Sequence, residues 1–452
     1  MRTSDRDTIV AVATAPGEAA IGLIRMSGPE SVQVASGCFR GRVRLEDAGD
    51  RKLLLGFFVV EGQDLDQVLA SVMRAPGSYT GQDMVEFNCH GGPLLLRRAV
   101  RALVGAGARL AERGEFTKRA FLNGKMDLSQ AEAVAAMISA RSDLGLSSAF
   151  FQLRGGLRRQ FEGMAERLRE ALVLLEAGLD FSDDVEIDFG IVRQQIDLVL
   201  ARVGGLVRSY QMGKVMREGA LVTLAGRPNV GKSSLLNRFL EEERAIVTDI
   251  PGTTRDTIEE SVNLDGIAVT LVDTAGIRQS GDAVEMAGTR RSQQFIDVAE
   301  RVLLVVDGAR PPVQEDFSVL GVLDRSQGFL VVNKVDLGVH EAWDRVTVNA
   351  DSVRVSAKTG EGIERLRMRL RGSLLGGVGV SGDVVTHERH LIALRGAQRA
   401  LFQAVEGLSE AVPAELVAME CRLALDALSG IVGETTADDI LDRIFGSFCI
   451  GK

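Results

Sequence analysis

The chain has 452 residues, with 53 lysines and arginines against 62 aspartates and glutamates and a formal net charge of −9. A hydrophobic fraction of 45 % and a charged fraction of 25 % exclude wholesale disorder, and 50 glycines against 9 prolines exclude collagen-like or proline-rich low complexity. The length allows about two to four domains, each with its own core. The acidic balance argues against a general nucleic-acid coating protein without bearing on a local basic patch.

The cysteines Cys38, Cys89, Cys421 and Cys449 form no CxxC pair, so neither a zinc ribbon nor a disulfide framework is expected. No apolar run of about 18 residues occurs, and no leucine-rich segment follows a basic start. The expectation is a soluble, cytoplasmic protein of a reducing compartment, with no membrane association.

Residues 1–122 mix short strand-like runs (8–13, 21–26, 53–60) with glycine turns, an α+β texture. Residues 123–215 are helical: Leu157, Phe161, Met164, Leu168, Leu172, Leu175 and Leu179 recur at spacings of three and four, on one helix face. Residues 216–378 alternate apolar strand and helix, the mark of a mostly parallel α/β sheet with helices on both faces. A flexible connector at 376–383 leads into further helix at 379–452. Helix on both sides of an α/β block predicts either separate helical domains or one helical domain interrupted by an inserted α/β domain, and insertion is favoured because the termini of compact domains lie close together.

The strongest signal is GRPNVGKS at 226–233, between an apolar strand at 220–225 and the helical pattern SSLLNRFL. This is GxxxxGK[ST] in its required context. Its glycines let backbone N–H groups of Asn229, Val230, Gly231, Lys232, Ser233 and Ser234 curl around phosphate oxygens, and the helix N-terminus adds positive dipole. Lys232 reaches the outer phosphates and Ser233 can ligate Mg²⁺. Asp273, with Thr274, Ala275 and Gly276, follows a strand at 268–272. The carboxylate can hold the Mg²⁺ shell and the glycine N–H can meet the γ-phosphate. Asn333, Lys334 and Asp336 follow a strand at 329–332. Asp336 can accept two hydrogen bonds from guanine, a donor pair adenine lacks. Ser356, Ala357 and Lys358 follow a strand at 353–355 and close over the base. Four such motifs in order resemble the translation-factor-related GTPases and point to GTP.

Thr248, Asp249, Ile250, Pro251, Gly252, Thr253 and Thr254 lie where a switch loop belongs, and a Thr hydroxyl there can ligate Mg²⁺ only while the γ-phosphate is present. The position where Ras-like proteins carry a water-orienting Gln is Ile277, so hydrolysis needs another group. Asn229 can offer a carbonyl oxygen which, with switch-loop carbonyls, would hold a monovalent cation beside the β–γ bridge, where an arginine finger would otherwise put its charge. Glu285 can position water; taken alone it is also an ordinary solvated helix residue.

GRPNVGKSSLLN, TDIPGTTRDT, DTAGIR and the ending FCIGK, with DTIVAVATAPG, GQDMVEFNCHGG and RGEFTKRAFLNGKMDLSQAEA in the flanks, resemble the MnmE (TrmE) family of tRNA-modifying GTPases that act on the wobble uridine. The resemblance runs from about residue 7 to 452. It implies an N-terminal tetrahydrofolate-binding and dimerising domain (1–122), a helical domain in two parts (123–215 and 379–452) and an inserted G domain (216–378). It further implies activation by K⁺ and by G-domain dimerisation, with K⁺ on Asn229, Thr248, Ile250 and Thr253, Mg²⁺ on Ser233 and Thr254, and Glu285 as the catalytic glutamate. Arg25, Glu86, Lys125 and Lys452 match the folate-binding positions. The family's partner is an FAD-containing flavoprotein, MnmG (GidA), in a heterotetramer or larger. The pair places a carboxymethylaminomethyl or aminomethyl group on C5 of the wobble uridine of tRNA, using a tetrahydrofolate one-carbon unit. Cys449 falls beside the folate or is a buried, inert thiol, and His90, Gly91 and Gly92 form a turn or part of that pocket.

Residues 1–122 hold 16 basic and 14 acidic side chains, against 37 and 48 in the rest. Seven of the basic ones (Arg97, Arg98, Arg101, Arg109, Arg113, Lys118, Arg119) cluster with only Glu112 and Glu115, as a phosphate-facing stripe or as a solvated helix face. The competing reading is a ribosome-assembly GTPase switch without modification chemistry. The glycine pair it could use as an RNA clamp, Gly430 and Gly433, is apolar and flanked by helix patterns.

Overall fold

The computed structural model describes residues 7–180, 188–243, 259–273, 295, 297–320, 328–347, 351–376, 383–410, 412–433 and 438–452. In chain order the first elements are β1 (Ile9–Val12), β2 (Ala19–Ser27), α1 (Ser31–Ser36), β3 (Phe39–Gly41), β4 (Leu53–Val60), β5 (Gln63–Met73), β6 (Met84–Gly91), α2 (Pro93–Gly105), β7 (Arg109–Leu110) and α3 (Glu115–Leu122). Helices α4 (Leu128–Ser139), α5 (Asp143–Leu153), α6 (Gly156–Asp180) and α7 (Phe189–Glu218) follow. An alternating stretch then runs β8 (Ala220–Ala225), α8 (Lys232–Glu243), β9 (Glu259–Leu264), β10 (Ile267–Asp273), β11 (Arg301–Asp307), α9 (Gln314–Leu320), β12 (Gly328–Asn333), α10 (Ala342–Thr347), β13 (Ser352–Arg354) and α11 (Ile363–Leu374). The chain closes with α12 (Glu388–Ser409), α13 (Ala414–Val432) and α14 (Asp438–Gly446).

Two compact units result, one from Met1–Ala135, Gln152–Ile187 and Ala418–Lys452, the other from Ala136–Phe151 and Asp188–Val417. The first is built on a sheet of order β3-β4-β5-β6-β2-β1-β7. Strand alternation divides its residues between two faces. Ile24, Met26, Phe58, Val72, Val85 and Phe87 pack against Leu96, Ala99 and Leu103 of α2. Gly22 permits this approach, since a Cβ there would lie 2.5 Å from Leu96 Cδ1. On the other face Ile9, Ala11 and Met84 meet Phe116 of α3. Leu157, Phe161, Met164, Leu168, Leu172 and Leu175 of α6 are all buried. Each such side chain removed from water stabilises by about 1.5–3 kcal/mol, which is why the three-and-four spacing sets the orientation of this helix.

The final residues return to this sheet. Arg113 and Ile450 form an antiparallel bridge, the Gly114 N–H donates to the Cys449 carbonyl at 3.5 Å, and the Phe116 N–H donates to the Lys452 carbonyl at 3.2 Å. Gly451 has φ 92°, and a Cβ there would lie 2.5 Å from the Val12 carbonyl oxygen, so only glycine fits. Beside this junction, Arg119 is 2 % exposed. It donates to Asp7 Oδ1 at 2.7 Å and Glu115 Oε1 at 2.8 Å. Arg109 bridges the same two carboxylates at 2.6 and 2.7 Å.

In the second unit α7 is capped by Asp188, whose side chain accepts from the N–H groups of Gly190 and Ile191, a cap contributing about 1 kcal/mol. It runs alongside α12, and Gly213 lets the segment that leads into α12 approach closely, since a Cβ there would lie 2.1 Å from the Val385 carbonyl oxygen. The second sheet has order β13-β12-β11-β8-β10-β9. All pairings are parallel except the β9–β10 hairpin. The α/β stretch therefore leaves from α7 and returns into α12, two helices packed on each other. Its strands read as continuous apolar runs because both faces are covered: Val222, Leu224, Leu303 and Val305 belong to one core cluster, Val302, Leu304, Val306 and Leu330 to another.

The Arg109–Arg119 network ties stability to pH. Burial pushes the Glu115 carboxyl up, but hydrogen bonds from Arg109, the Glu112 backbone and Arg119 outweigh it and hold the group below the usual carboxylate range. A carboxylate depressed in the native state stabilises the fold above its unfolded pKa and loses that contribution as pH falls through its native pKa. Glu115→Gln is expected to cost about 1–3 kcal/mol near neutral pH and to flatten the loss of stability below about pH 4. Urea midpoints at neutral and acid pH check this; parallel pH dependence in both proteins would refute it.

Candidate functional site

The phosphate loop joins the C-terminal end of β8 to α8. Gly226 has φ 140° and Gly231 φ 101°. A Cβ at either would lie 2.2 Å from a neighbour, the Val305 carbonyl oxygen for Gly226 and Asn333 Nδ2 for Gly231. Asn229 lies between them at φ 65°, exposed at the rim of the loop, in the left-handed region that Asn tolerates. Lys232 is 4 % exposed and donates to the carbonyls of Gly226 at 2.8 Å and Arg227 at 2.7 Å. Its ammonium is thus held inside the loop. Ser233 Oγ donates to Asp273 Oδ2 at 2.7 Å. That pair is set by the parallel register of β10 with β8, which places Asp273 opposite Leu224. A hydroxyl and a carboxylate converging at adjacent strand ends are hard oxygen donors suited to a divalent cation.

Asn333 ends β12, 2 % exposed. Its Nδ2 donates to the Val230 carbonyl at 2.9 Å and its Oδ1 accepts from the Ala357 N–H at 3.0 Å. Lys334, at φ 66°, donates to the Asn229 carbonyl at 2.8 Å and to Asp307 at 2.7 Å. Ser356 Oγ donates to Asp336 Oδ1 at 2.6 Å and accepts from the Thr359 N–H. This fixes the Asp336 carboxylate, which is exposed and can accept from a base. Lys358 is exposed, and its carbonyl accepts from Arg238. Val230 is buried beneath the loop and Ser234 lies in the first turn of α8. Sequence reading did not single out Asp307, at the end of the apolar run RVLLVVD, or the Arg227–Asp316 pair at 2.7 and 3.0 Å. Asp307 carried the same signal as Asp273, an acid ending an apolar strand.

Thr248, Asp249, Ile250, Pro251, Gly252, Thr253, Thr254, Thr274, Ala275, Gly276 and Glu285 lie outside the described residues. The switch-loop, K⁺ and catalytic-glutamate expectations therefore reach only Asn229, Ser233 and Asp273 among the described side chains.

In the first unit Arg25, Glu86 and Lys452 converge. Arg25 Nε donates to Glu86 Oε1 at 2.7 Å across the β2–β6 register, and Nη1 meets the Gly451 carbonyl at 3.5 Å. The Arg25 guanidinium lies 5.6 Å from the Tyr79 ring centroid and 5.9 Å from that of Phe116. Burial, then repulsion from Arg25, holds the Lys452 amine below the usual lysine range despite Glu86. Arg25, lying over the two rings, thus repels the Lys452 amine, a repulsion that an anionic ligand would relieve. Lys125 is exposed and donates to the Pro76 carbonyl at 2.9 Å. Cys449 is exposed. His90, next to last in β6, has Nδ1 on Asp66 at 2.6 Å, and Gly92 is the N-cap of α2. Gly433 follows α13 and faces Phe121 and Leu128, apolar neighbours that offer no donor to a phosphate.

Gly231→Ala is expected to weaken GTP binding about a hundredfold, from roughly 3 kcal/mol of strain at its left-handed φ and against Asn333. Gly372→Ala, where a Cβ meets nothing within 4 Å, is expected to leave binding unchanged. Titration with a fluorescent GTP analogue separates the two, and equal affinities would show that the loop does not need the close Gly231–Asn333 approach.

The model of the MnmE helical domain matches residues 128–449, and that of the GTP-binding protein TrmE N-terminus matches residues 8–125. The tRNA modification GTPase MnmE of Moorella thermoacetica is 43 % identical over 462 residues, covering 99 % of this chain and 99 % of its own. The protein of the same name from Syntrophus aciditrophicus is 41 % identical over 456 residues, covering 99 % and 100 %. That from Geobacter sulfurreducens is 42 % identical over 456 residues, covering 99 % of each. The chain belongs to the MnmE family of tRNA modification GTPases.

Proposed function

We propose that the chain is a K⁺-activated GTP hydrolase that, together with an FAD-containing flavoprotein, adds a carboxymethylaminomethyl or aminomethyl group to C5 of the tRNA wobble uridine. The observation that carries the nucleotide half is the Ser233–Asp273 pair beside buried Lys232, with Asp336 fixed by Ser356. These groups supply a Mg²⁺ site, a phosphate cation and a guanine acceptor in one strand-end row. Ser233 and Thr254 would ligate Mg²⁺, which supplies charge neutralisation at the outer phosphates when bound. Asn229, Thr248, Ile250 and Thr253 would hold K⁺, and Glu285 would orient the attacking water. The exposed place of Asn229 at the loop rim supports the first of these assignments.

The folate reading rests on Arg25, Glu86, Lys125 and Lys452. Cations suit the glutamate tail of a tetrahydrofolate, a carboxylate suits the pterin, and the repulsion between Arg25 and Lys452 favours an anion. A homodimer is supported by the sheet face that carries this group. Leu55 pairs with Leu69 and Leu53 with Ser71 in register, and Leu53, Leu55, Phe57 and Leu69 stand 63, 61, 38 and 39 % exposed. Contiguous exposed apolar rows of this kind mark an interaction surface.

Nucleoside analysis of tRNA from a strain lacking the chain tests the modification: loss of the C5 wobble modification, restored by the wild-type chain, is expected, and a normal nucleoside profile would sink the reading. Glu285→Ala is expected to keep GTP affinity and lose about two or more orders of magnitude in turnover. Wild-type hydrolysis is expected to run faster in KCl than in NaCl. Equal rates in the two salts would remove the cation from the mechanism.

A further inference from the structure

The structure divides the cluster of seven basic residues. Arg109 and Arg119 are spent on Asp7 and Glu115, Lys118 pairs with Asp442 at 2.7 Å, and Arg113, its side chain exposed, lies off the helix where its backbone bridges to Ile450. The remaining three lie on α2. Arg97, Arg98 and Arg101 are exposed along its outer face, with Leu94 65 % exposed at one end and Val104 38 % exposed at the other. The i, i+3 and i, i+4 spacings put these side chains about 5–6 Å apart at Cβ. The helix, PLLLRRAVRALVG, contains no acidic residue. Arg97 Nε touches only the Pro93 carbonyl at 3.3 Å, and Arg98 and Arg101 make no hydrogen bond or ion pair among the described residues. This face departs from the net charge of −9 of the whole chain.

We infer that the outer face of α2 is an RNA-docking surface, with Arg97, Arg98 and Arg101 on the phosphates and riboses of the tRNA substrate. The inference rests on the tRNA-modifying function proposed above. Guanidinium groups suit this occupant doubly: they fork onto phosphate oxygens and stack on unpaired bases. The exposed Leu94 and Val104 extend the contact without adding charge. Leu96, Ala99 and Leu103 bind the opposite side of the helix to the sheet, so the surface is rigid before RNA arrives. Arg25 and Glu86 lie on the far face of that sheet, since their neighbours Ile24, Met26, Val85 and Phe87 point toward α2. The patch therefore anchors the RNA backbone and does not itself present the reacting base to the Arg25 group.

The test uses the full chain and an unmodified tRNA transcript, with affinity measured across a KCl series. The variant is Arg97→Ala, Arg98→Ala and Arg101→Ala combined; Ala is the best helix former, so α2 is kept. The control is Arg395→Ala with Arg399→Ala on α12, two exposed arginines that also lack partners among the described residues. Losing three phosphate contacts is expected to reduce the slope of log K against log salt by between about 2 and 3. At low salt it is expected to weaken binding about tenfold or more, while the control retains wild-type affinity and slope. Hydrolysis of GTP without RNA is expected to be equal in all three proteins. An unchanged slope in the triple variant, or an equal drop in the control, overturns the assignment. So does a triple variant that keeps tRNA affinity but loses binding to phosphatidylserine vesicles, which would place a lipid surface on α2. If the wild-type chain restores wobble modification in the deletion strain while the triple variant binds tRNA normally, only the surface is wrong. If the wild-type chain restores nothing, the functional reading beneath it is wrong as well.

Discussion

One carboxamide holds the nucleotide site together. Asn333 donates to the Val230 carbonyl on the phosphate loop and accepts from the Ala357 N–H on the loop after β13. Buried as it is, each of these bonds is costly to leave unmade, because the orphaned group has no water to turn to. The spacing between the phosphate loop and the loop after β13 is therefore set by one side chain at the end of β12. The glycine at 231 follows from the same constraint: Asn333 occupies the volume that any side chain at 231 would need. The motif glycine and the motif asparagine, 102 positions apart in the chain, are two halves of one contact.

The charges around this contact are arranged by the sheet. Parallel strands β8, β10, β11 and β12 all end on one side, and the acids Asp273 and Asp307 close two of them. Each has a cationic or hydroxyl partner within reach: Lys334 for Asp307 and Ser233 for Asp273. Lys232 donates to the carbonyls of Gly226 and Arg227, which holds its ammonium inside the loop that follows β8, at the carboxyl ends of the strands where ligands of open α/β sheets bind.

Much of this was legible in the sequence. Residues 226–233 carried their strand and helix with them, and the strands expected at 220–225, 268–272, 329–332 and 353–355 correspond to β8, β10, β12 and β13. Local patterns sufficed because each motif is contiguous. What could not be read was non-local. The Arg109–Asp7 pair and the Arg227–Asp316 pair join residues 102 and 89 positions apart, and nothing in either neighbourhood says which acid meets which base. The run of arginines from 97 to 119 looked uniform for the same reason. Helix phase separates Arg97, Arg98 and Arg101 from the sheet, but only the fold brings Asp7 to Arg109 and Arg119.

The Arg25–Glu86–Lys452 group shows the consequence of non-locality for function. Arg25 and Gly451 are 426 positions apart and touch. The tail that brings Lys452 to Arg25 is pinned by the backbone bonds to Gly114 and Phe116 and by the glycine fit at 451. The entropy of closing so long a loop rises only with the logarithm of its length, so a few such bonds within a folded unit suffice to hold it. The isolated strands β1–β7 would keep Arg25 and Glu86 in register yet lack the second cation. The anion-seeking character of the site therefore belongs to the complete first unit, whose three chain segments must all be folded, and not to the N-terminal stretch that carries most of its residues.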